Sequence, residues 1–201
     1  GLVQASRLWW QSIRQTFIDN HFIQSQFCEC VFIKRIGEIF VIVLLFVDDM
    51  LVFSNSLKEK EKLVRLLNKV YKCEDRGDAT WFLAISIERN IKDAYVDLSQ
   101  EDYLRNLCTQ AGYNPDTTTP AATPEVKTDW SKADAPTTAE DIATMAKFDM
   151  RKWLGMALWA QICTQPRLMH AVKKLASHIT NPGIPQRDGM IRLIKYLCGT
   201  C

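Results

Sequence analysis

Two adjacent aspartates interrupt an apolar run: residues 41–50 read VIVLLFVDDM, and Leu51, Val52 and Phe53 follow at once. Two carboxylates about 4 Å apart at an effective dielectric of about 20 repel by roughly 4 kcal/mol, and burial adds a desolvation cost to each. Something must offset that repulsion. A tight turn would leave both groups in water, whereas a divalent cation would be ligated by them. Hairpin turns that carry Asp favour Gly next, because two-residue turns need positive φ, and Met50 stands there instead. Strands this apolar would set Asp48 and Asp49 on a rigid, partly dry platform. Such a platform suits Mg²⁺, which takes one or two protein carboxylates together with substrate phosphates. The residues alone leave both readings open.

The elements that must position the pair follow from periodicity. Trp9, Ile13 and Phe17, with Trp10 and Ile18 beside them, predict an amphipathic helix over 6–22 whose aromatics pack as core. Residues 30–34 and 38–46, rich in Val, Ile and Phe and split at Ile36-Gly37, predict two strands and a turn; 50–53 is a third strand. The aspartates therefore sit at the bend between two strands. Leu63, Leu66 or Leu67, and Val70 mark one face of a following helix, with the Lys58 to Lys62 charges as its solvated side. Leu83, Ile85 and Ile87 alternate with Ala84, Ser86 and Glu88, which predicts a half-buried strand paired with 94–98. A helix opens at Ser99, with Asp102 completing a weak capping box, and Gly112 stops it. Residues 113–141 turn to Thr, Pro, Ala and Asp and read as a linker or extended loop. Three helical patterns close the chain, over 148–163, 166–179 and 185–197, with prolines at their boundaries.

At 201 residues, 47 % hydrophobic and 24 % charged, the chain has the composition of a globular protein with one sizeable core or two small ones. No apolar run approaches the roughly 20 residues of a membrane span, and no signal-type segment opens the chain, so an intracellular location without a membrane partner is expected. The seven cysteines are odd in number and scattered, which fits a reducing compartment. Cys198-x-x-Cys201 lacks a second pair or a histidine cluster, so idle thiols are expected there rather than zinc. The net charge of +2 conceals a gradient: 97–149 is mostly acidic, while Arg151, Lys152, Arg167, Lys173, Lys174, Arg187, Arg192 and Lys195 crowd the end. A basic helical tail of this kind is either a solvated face or a track for a phosphate backbone.

Gly1-Leu2-Val3-Gln4-Ala5-Ser6-Arg7-Leu8-Trp9, followed some forty residues on by Phe46-Val47-Asp48-Asp49-Met50-Leu51, resembles the reverse transcriptase of copia-type retrotransposons, with its G-L-K-Q-A-P-R-x-W and Y-V-D-D-M. Further segments follow the family in order. They are Cys30-Val31-Phe32-Ile33-Lys34, Trp81-Phe82-Leu83-Ala84-Ile85 beside F-L-G-I, Leu98-Ser99-Gln100, Thr119-Pro120, and Tyr196-Leu197-x-Gly199-Thr200. Departures are Phe46 for Tyr, Ser6 for Pro, Ala84 for Gly, and Thr164-Gln165-Pro166-Arg167 for T-R-P-D.

The resemblance implies an α+β fold: a partial right-hand polymerase palm over 1–112, an antiparallel sheet with packed helices. A Thr/Pro-rich linker over 113–145 and a helical thumb or connection-like segment over 146–201 would follow. The implied reaction is template-directed nucleotidyl transfer with two Mg²⁺ ions in the complete site, on an RNA or DNA template-primer and deoxynucleoside triphosphates. By the same resemblance Asp48 and Asp49 are the catalytic metal ligands. Gln4 would lie against the incoming nucleotide or template base, Arg7 would contact a phosphate, Phe46 would join them in binding substrate, and Phe82 and Leu83 would lie in the primer-supporting hairpin. The family's other metal-binding aspartate lies upstream of G-L-x-Q-A, and this chain starts at Gly1. A fragment is therefore expected, inactive in isolation, with the N-terminal portion of the polyprotein as partner and a virus-like particle as setting if the element is active. The alternatives are a non-catalytic nucleic-acid-binding or assembly module, and a decayed element.

Overall fold

The computed structural model describes residues 3–125 and 129–201, so Gly1 and Leu2 of the first motif lie outside the described residues. Seven α-helices and two antiparallel sheets, of four and three strands, give the α+β class among the described residues. Two compact units divide the chain, Gly1–Ala79 and Thr80–Cys201, whereas the resemblance divides it near residue 112.

In the first unit, helix α1 (Ala5–Asp19) buries Ile13 and Phe17 completely, one turn apart on the same stripe. It ends where the amides of Asn20 and His21 bond back to the carbonyls of Phe17 and Ile18 at 3.1 and 3.0 Å. A meander follows: β1 (Ile23–Gln24), β2 (Val31–Ile36), β3 (Ile39–Phe46) and β4 (Asp49–Ser54), hydrogen-bonded in that order. Along β3, Val41, Val43 and Leu45 are buried, while Phe40 and Phe46 of the other face are exposed. That alternation is the period-2 signature of a sheet covered on one side. The cover is α1 and α2 (Leu57–Val70), whose Leu63 and Leu67 join Ile13, Phe17, Phe32, Val41, Val43 and Leu45 in one cluster. Ser56 caps α2 by accepting from the Glu59 amide at 3.4 Å. Phe17 stacks on Phe32 with centroids 4.6 Å apart, and truncating either would cost about 3–5 kcal/mol. The apolar face of α2 stops at Leu67, and Val70, expected on it, is exposed.

In the second unit, β5 (Trp81–Phe82), β6 (Ile85–Asn90) and β7 (Tyr95–Ser99) form a three-stranded sheet. The strand expected to begin at Leu83 begins at Ile85, because Leu83 and Ala84 are the turn between β5 and β6. Helix α3 (Glu101–Gln110) has Gln100 at its N-cap. Ser99, expected to cap it, instead accepts from the Glu101 amide at 3.1 Å while ending β7. Gly112, at φ +84°, stops the helix as expected. Helices α4 (Ala139–Ala146), α5 (Met150–Cys163), α6 (Met169–Ala176) and α7 (Ile184–Cys198) complete the unit. Leu104 and Leu107 of α3, Trp153 and Ala157 of α5, Leu175 of α6 and Leu193 of α7 share one core.

The Thr/Pro-rich stretch is strapped along α7 and ends in α4. Arg192 donates to the carbonyls of Thr123 and Glu125 at 3.1 Å. Trp130 lies so close to Gly189 that a Cβ there would come within 2.5 Å of its ring. The glycine is required by that approach, not by a turn.

Candidate active site

Residues Phe46 and Asp49 pair across the β3–β4 hairpin, so Val47 and Asp48 are the whole of its turn. Asp48 and Asp49 are both exposed. The platform is thus wetter than the apolar flanks predict, since the buried face of the sheet ends at Leu45 and Met50, one pair short of the turn. Val47 carries the positive φ, +54°, that the turn demands. A β-branched residue in that region costs about 1–3 kcal/mol. The residue after the aspartates carries no such demand, which explains how a hairpin forms with Met50 where Gly was looked for.

The other residues singled out by sequence are placed as follows. Phe46 pairs with Asp49, so the two share the sheet face opposite the helices, and the Phe46 ring is half exposed. Gln4 is the exposed N-cap residue of α1 and makes no side-chain cap. Arg7 is exposed in the first turns of α1. Neither makes a hydrogen bond or ion pair with Asp48 or Asp49. Phe82 closes β5 and Leu83 is the first turn residue, both half-buried and both in the second unit.

Among the described residues, no third His, Cys, Asp or Glu joins the aspartates in a group that could hold a metal ion. Two consecutive exposed carboxylates nonetheless fit part of a magnesium shell, which prefers hard oxygen and takes its remaining ligands from water, phosphates or further carboxylates.

Sequence reasoning missed the residue that touches this turn. The Trp9 indole N–H donates to the Val47 carbonyl at 2.5 Å. Trp9 stands edge-on to Tyr71, with ring centroids 4.9 Å apart. The signal was present in the first motif, where Trp9 is the last residue, but its place on an apolar stripe made core packing the simpler reading. In the second unit, Gln100 of the L-S-Q segment is buried and its Oε1 accepts from the Thr164 hydroxyl at 2.7 Å, joining two motif segments 64 residues apart. Cys108, buried on α3, meets Cys198 and Cys201, and burial with those neighbours pushes its thiol up.

The basic tail is largely occupied by its own fold. Lys152 lies over Trp153, Arg167 over Tyr196, Lys174 over Trp130 and Lys195 over Tyr113, at 4.5–5.5 Å from the ring centroids. Arg187 pairs with Asp188, and Arg192 holds the strap. No helix among the described residues is long and apolar enough to cross a membrane.

A family model described as reverse transcriptase (RNA-dependent DNA polymerase) matches residues 1–127. Over its full length the chain is 31 % identical to a retrovirus-related Pol polyprotein from transposon TNT 1-94 of Nicotiana tabacum, covering 15 % of that protein. It is 26 % identical to the Pol polyprotein from transposon RE2 of Arabidopsis thaliana, covering 13 % of it. A putative transposon Ty5-1 protein of Saccharomyces cerevisiae is 23 % identical, with 62 % of its length covered. The chain thus spans about one seventh of the length of the first two relatives. No solved structure matches it. By the family match over most of its length and the identity to transposon Pol polyproteins, the chain belongs to the reverse transcriptase family, in its copia-type branch.

Proposed function

We propose that this chain supplies the aspartate hairpin of a template-directed DNA polymerase within a longer Pol polyprotein. Its substrates are an RNA or DNA template-primer and deoxynucleoside triphosphates. One observation carries the reading: the helix of the first motif and the hairpin of the second, some forty residues apart, meet through the Trp9–Val47 hydrogen bond. Asp48 and Asp49 present oxygen ligands at the exposed tip, and Phe46 lines the same sheet face beside Asp49. Gln4 and Arg7 stand at the exposed start of the helix that reaches the turn, and in this reading they meet nucleotide or template. The β5–β6 hairpin, with Phe82 and Leu83, supports the primer. Mg²⁺, when bound, stabilises the attacking and leaving oxygens of the phosphoryl transfer. In this reading the first unit belongs to the palm and the helices of the second to a thumb or connection, acting inside the cell.

An exposed carboxylate pair does not by itself clamp two metals, so further ligands come from elsewhere in the polyprotein. Manganese titration followed by nuclear magnetic resonance tests the ligand assignment. Mn²⁺ should broaden the Asp48 and Asp49 amides, and Asp48→Asn should abolish the effect; broadening that persists in the variant would remove the assignment. In primer extension, the 201-residue chain alone should incorporate nothing. Asp48→Asn in the full-length polyprotein should abolish synthesis, and robust templated incorporation by the isolated chain would overturn the requirement for outside ligands.

A further inference from the structure

The aspartate turn holds a conformation that its own residues disfavour. Val47 sits at φ +54°, while the neighbouring β2–β3 hairpin gives the equivalent first turn position to Gly37 at φ +59°. Both aspartates are exposed, so packing around the tip does not impose this shape. The contact that does reach it is the Trp9 indole N–H on the Val47 carbonyl, at 2.5 Å.

That carbonyl has a particular leverage. It lies in the same planar unit as the Asp48 amide, so fixing the oxygen fixes ψ of Val47 and φ of Asp48 together. The direction in which the Asp48 side chain leaves the backbone is thereby set. The indole is braced in turn. Tyr71 stands edge-on to it at 79°, and the Tyr71 hydroxyl lies 3.0 Å from the Ser12 hydroxyl and 2.8 Å from that of Thr16. The Tyr71 amide donates to the Leu67 carbonyl at 2.7 Å, at the end of α2. Through these links the turn is tied to both helices that cover the sheet.

We propose that Trp9 is a positioning residue for the metal-binding turn, its indole N–H fixing the Val47–Asp48 peptide plane and so the aim of the Asp48 carboxylate, with Tyr71 as its brace. This rests on the reading of Asp48 as a metal ligand. A donor at this point orients a ligand it never touches, as the outer hydrogen bonds of metal sites do.

The test uses the 201-residue chain with Trp9→Phe, which keeps a ring against Tyr71 and removes the donor. The melting midpoint should change little. The Asp48 amide should lose order and exchange faster, the Asp48 amide-to-α-proton coupling, which reports φ of Asp48, should depart from its wild-type value, and Mn²⁺ affinity at the turn should fall about tenfold. Tyr71→Phe, which keeps the ring and loses both hydroxyl contacts, should move the same signals less. Unchanged Asp48 coupling and Asp48 exchange in Trp9→Phe would overturn the proposal whatever the metal does. If wild-type chain shows no manganese effect at the turn, the metal reading fails, while the coupling and exchange data still decide whether Trp9 sets the peptide plane. An ordered Asp48 with undiminished Mn²⁺ affinity in the variant would likewise overturn it. If Trp9→Phe unfolds, Tyr71→Phe and the exchange protection of the wild-type Trp9 indole proton carry the decision: an unprotected indole proton would overturn it.

Discussion

Three two-residue hairpins meet the same conformational demand differently. The β2–β3 turn gives its positive φ to Gly37, the β3–β4 turn gives it to Val47, and the β5–β6 turn takes positive φ at both Leu83 and Ala84, at +52° and +62°. Glycine is indifferent to this region, whereas Leu, Ala and especially Val are strained there. The unstrained turn is the one to which no ligand or substrate contact is assigned. The other two carry the residues proposed to face metal and primer. Strain held at a functional site persists only where surrounding structure over-determines it. At Val47 the determinant is visible in Trp9; at Leu83-Ala84 it is the short β5–β6 ladder, Trp81 to Ser86 and Phe82 to Ile85, extended by the Ile87 amide on the Thr80 carbonyl.

The comparison breaks most directly at Gly37. A Cβ at Gly37 would meet nothing within 4 Å, so Gly37→Val adds backbone strain without a steric clash. It should destabilise the first unit by about 2 kcal/mol, read as a lower urea midpoint for its core amides. A loss near zero would mean that Val is tolerated at this turn position for free, and the strain assigned to Val47 would go with it.

What the sequence made legible follows the same division. The apolar periodicities of α1, β3, α5 and α7 are consequences of burial on one face, and burial leaves its period in the residue string. Of the three turns only the one at Gly37 showed, because the usual marker is glycine and the other two lack it. Leu83 therefore read as the start of a strand, and the demand for glycine was placed after Asp49 rather than at Val47. The aspartate pair itself was legible through its cost, and its motif through resemblance. The Trp9–Val47 bond was not, since a single indole donor leaves no period. Nor was the strapping of the Thr/Pro-rich stretch along α7, where Arg192 holds Thr123 and the absence of a side chain at Gly189 admits Trp130.

A smaller effect of opposite sign should appear at the aspartate turn. Val47 is 60 % exposed, so Val47→Gly forfeits little burial and relieves the strained φ. Offsetting this is the greater freedom of glycine in the unfolded chain, leaving a net gain of about 1 kcal/mol or less. The same change should make the turn less dependent on Trp9, so that adding Trp9→Phe on top speeds exchange of the Asp48 amide less than Trp9→Phe alone does. Such a double-mutant cycle measures the coupling directly. Strictly additive effects would separate the indole bond from the strain and leave the two hairpins of the first unit alike.

The smallest effect belongs to Ala84. At φ +62° a methyl costs roughly 1 kcal/mol relative to glycine, part of which is returned by the stiffer unfolded chain, so Ala84→Gly should stabilise the β5–β6 hairpin by a few tenths of a kcal/mol. Slower exchange at the Ile87 amide, which donates to the Thr80 carbonyl at 2.8 Å beside this hairpin, is the sensitive reporter. The position at which the F-L-G-I pattern has glycine holds the second positive φ of this chain's turn, and Ala84 meets that demand at a cost. If Ala84→Gly leaves the Ile87 amide unchanged but improves primer extension in the full-length polyprotein, close approach by the primer, rather than turn strain, is what the glycine serves.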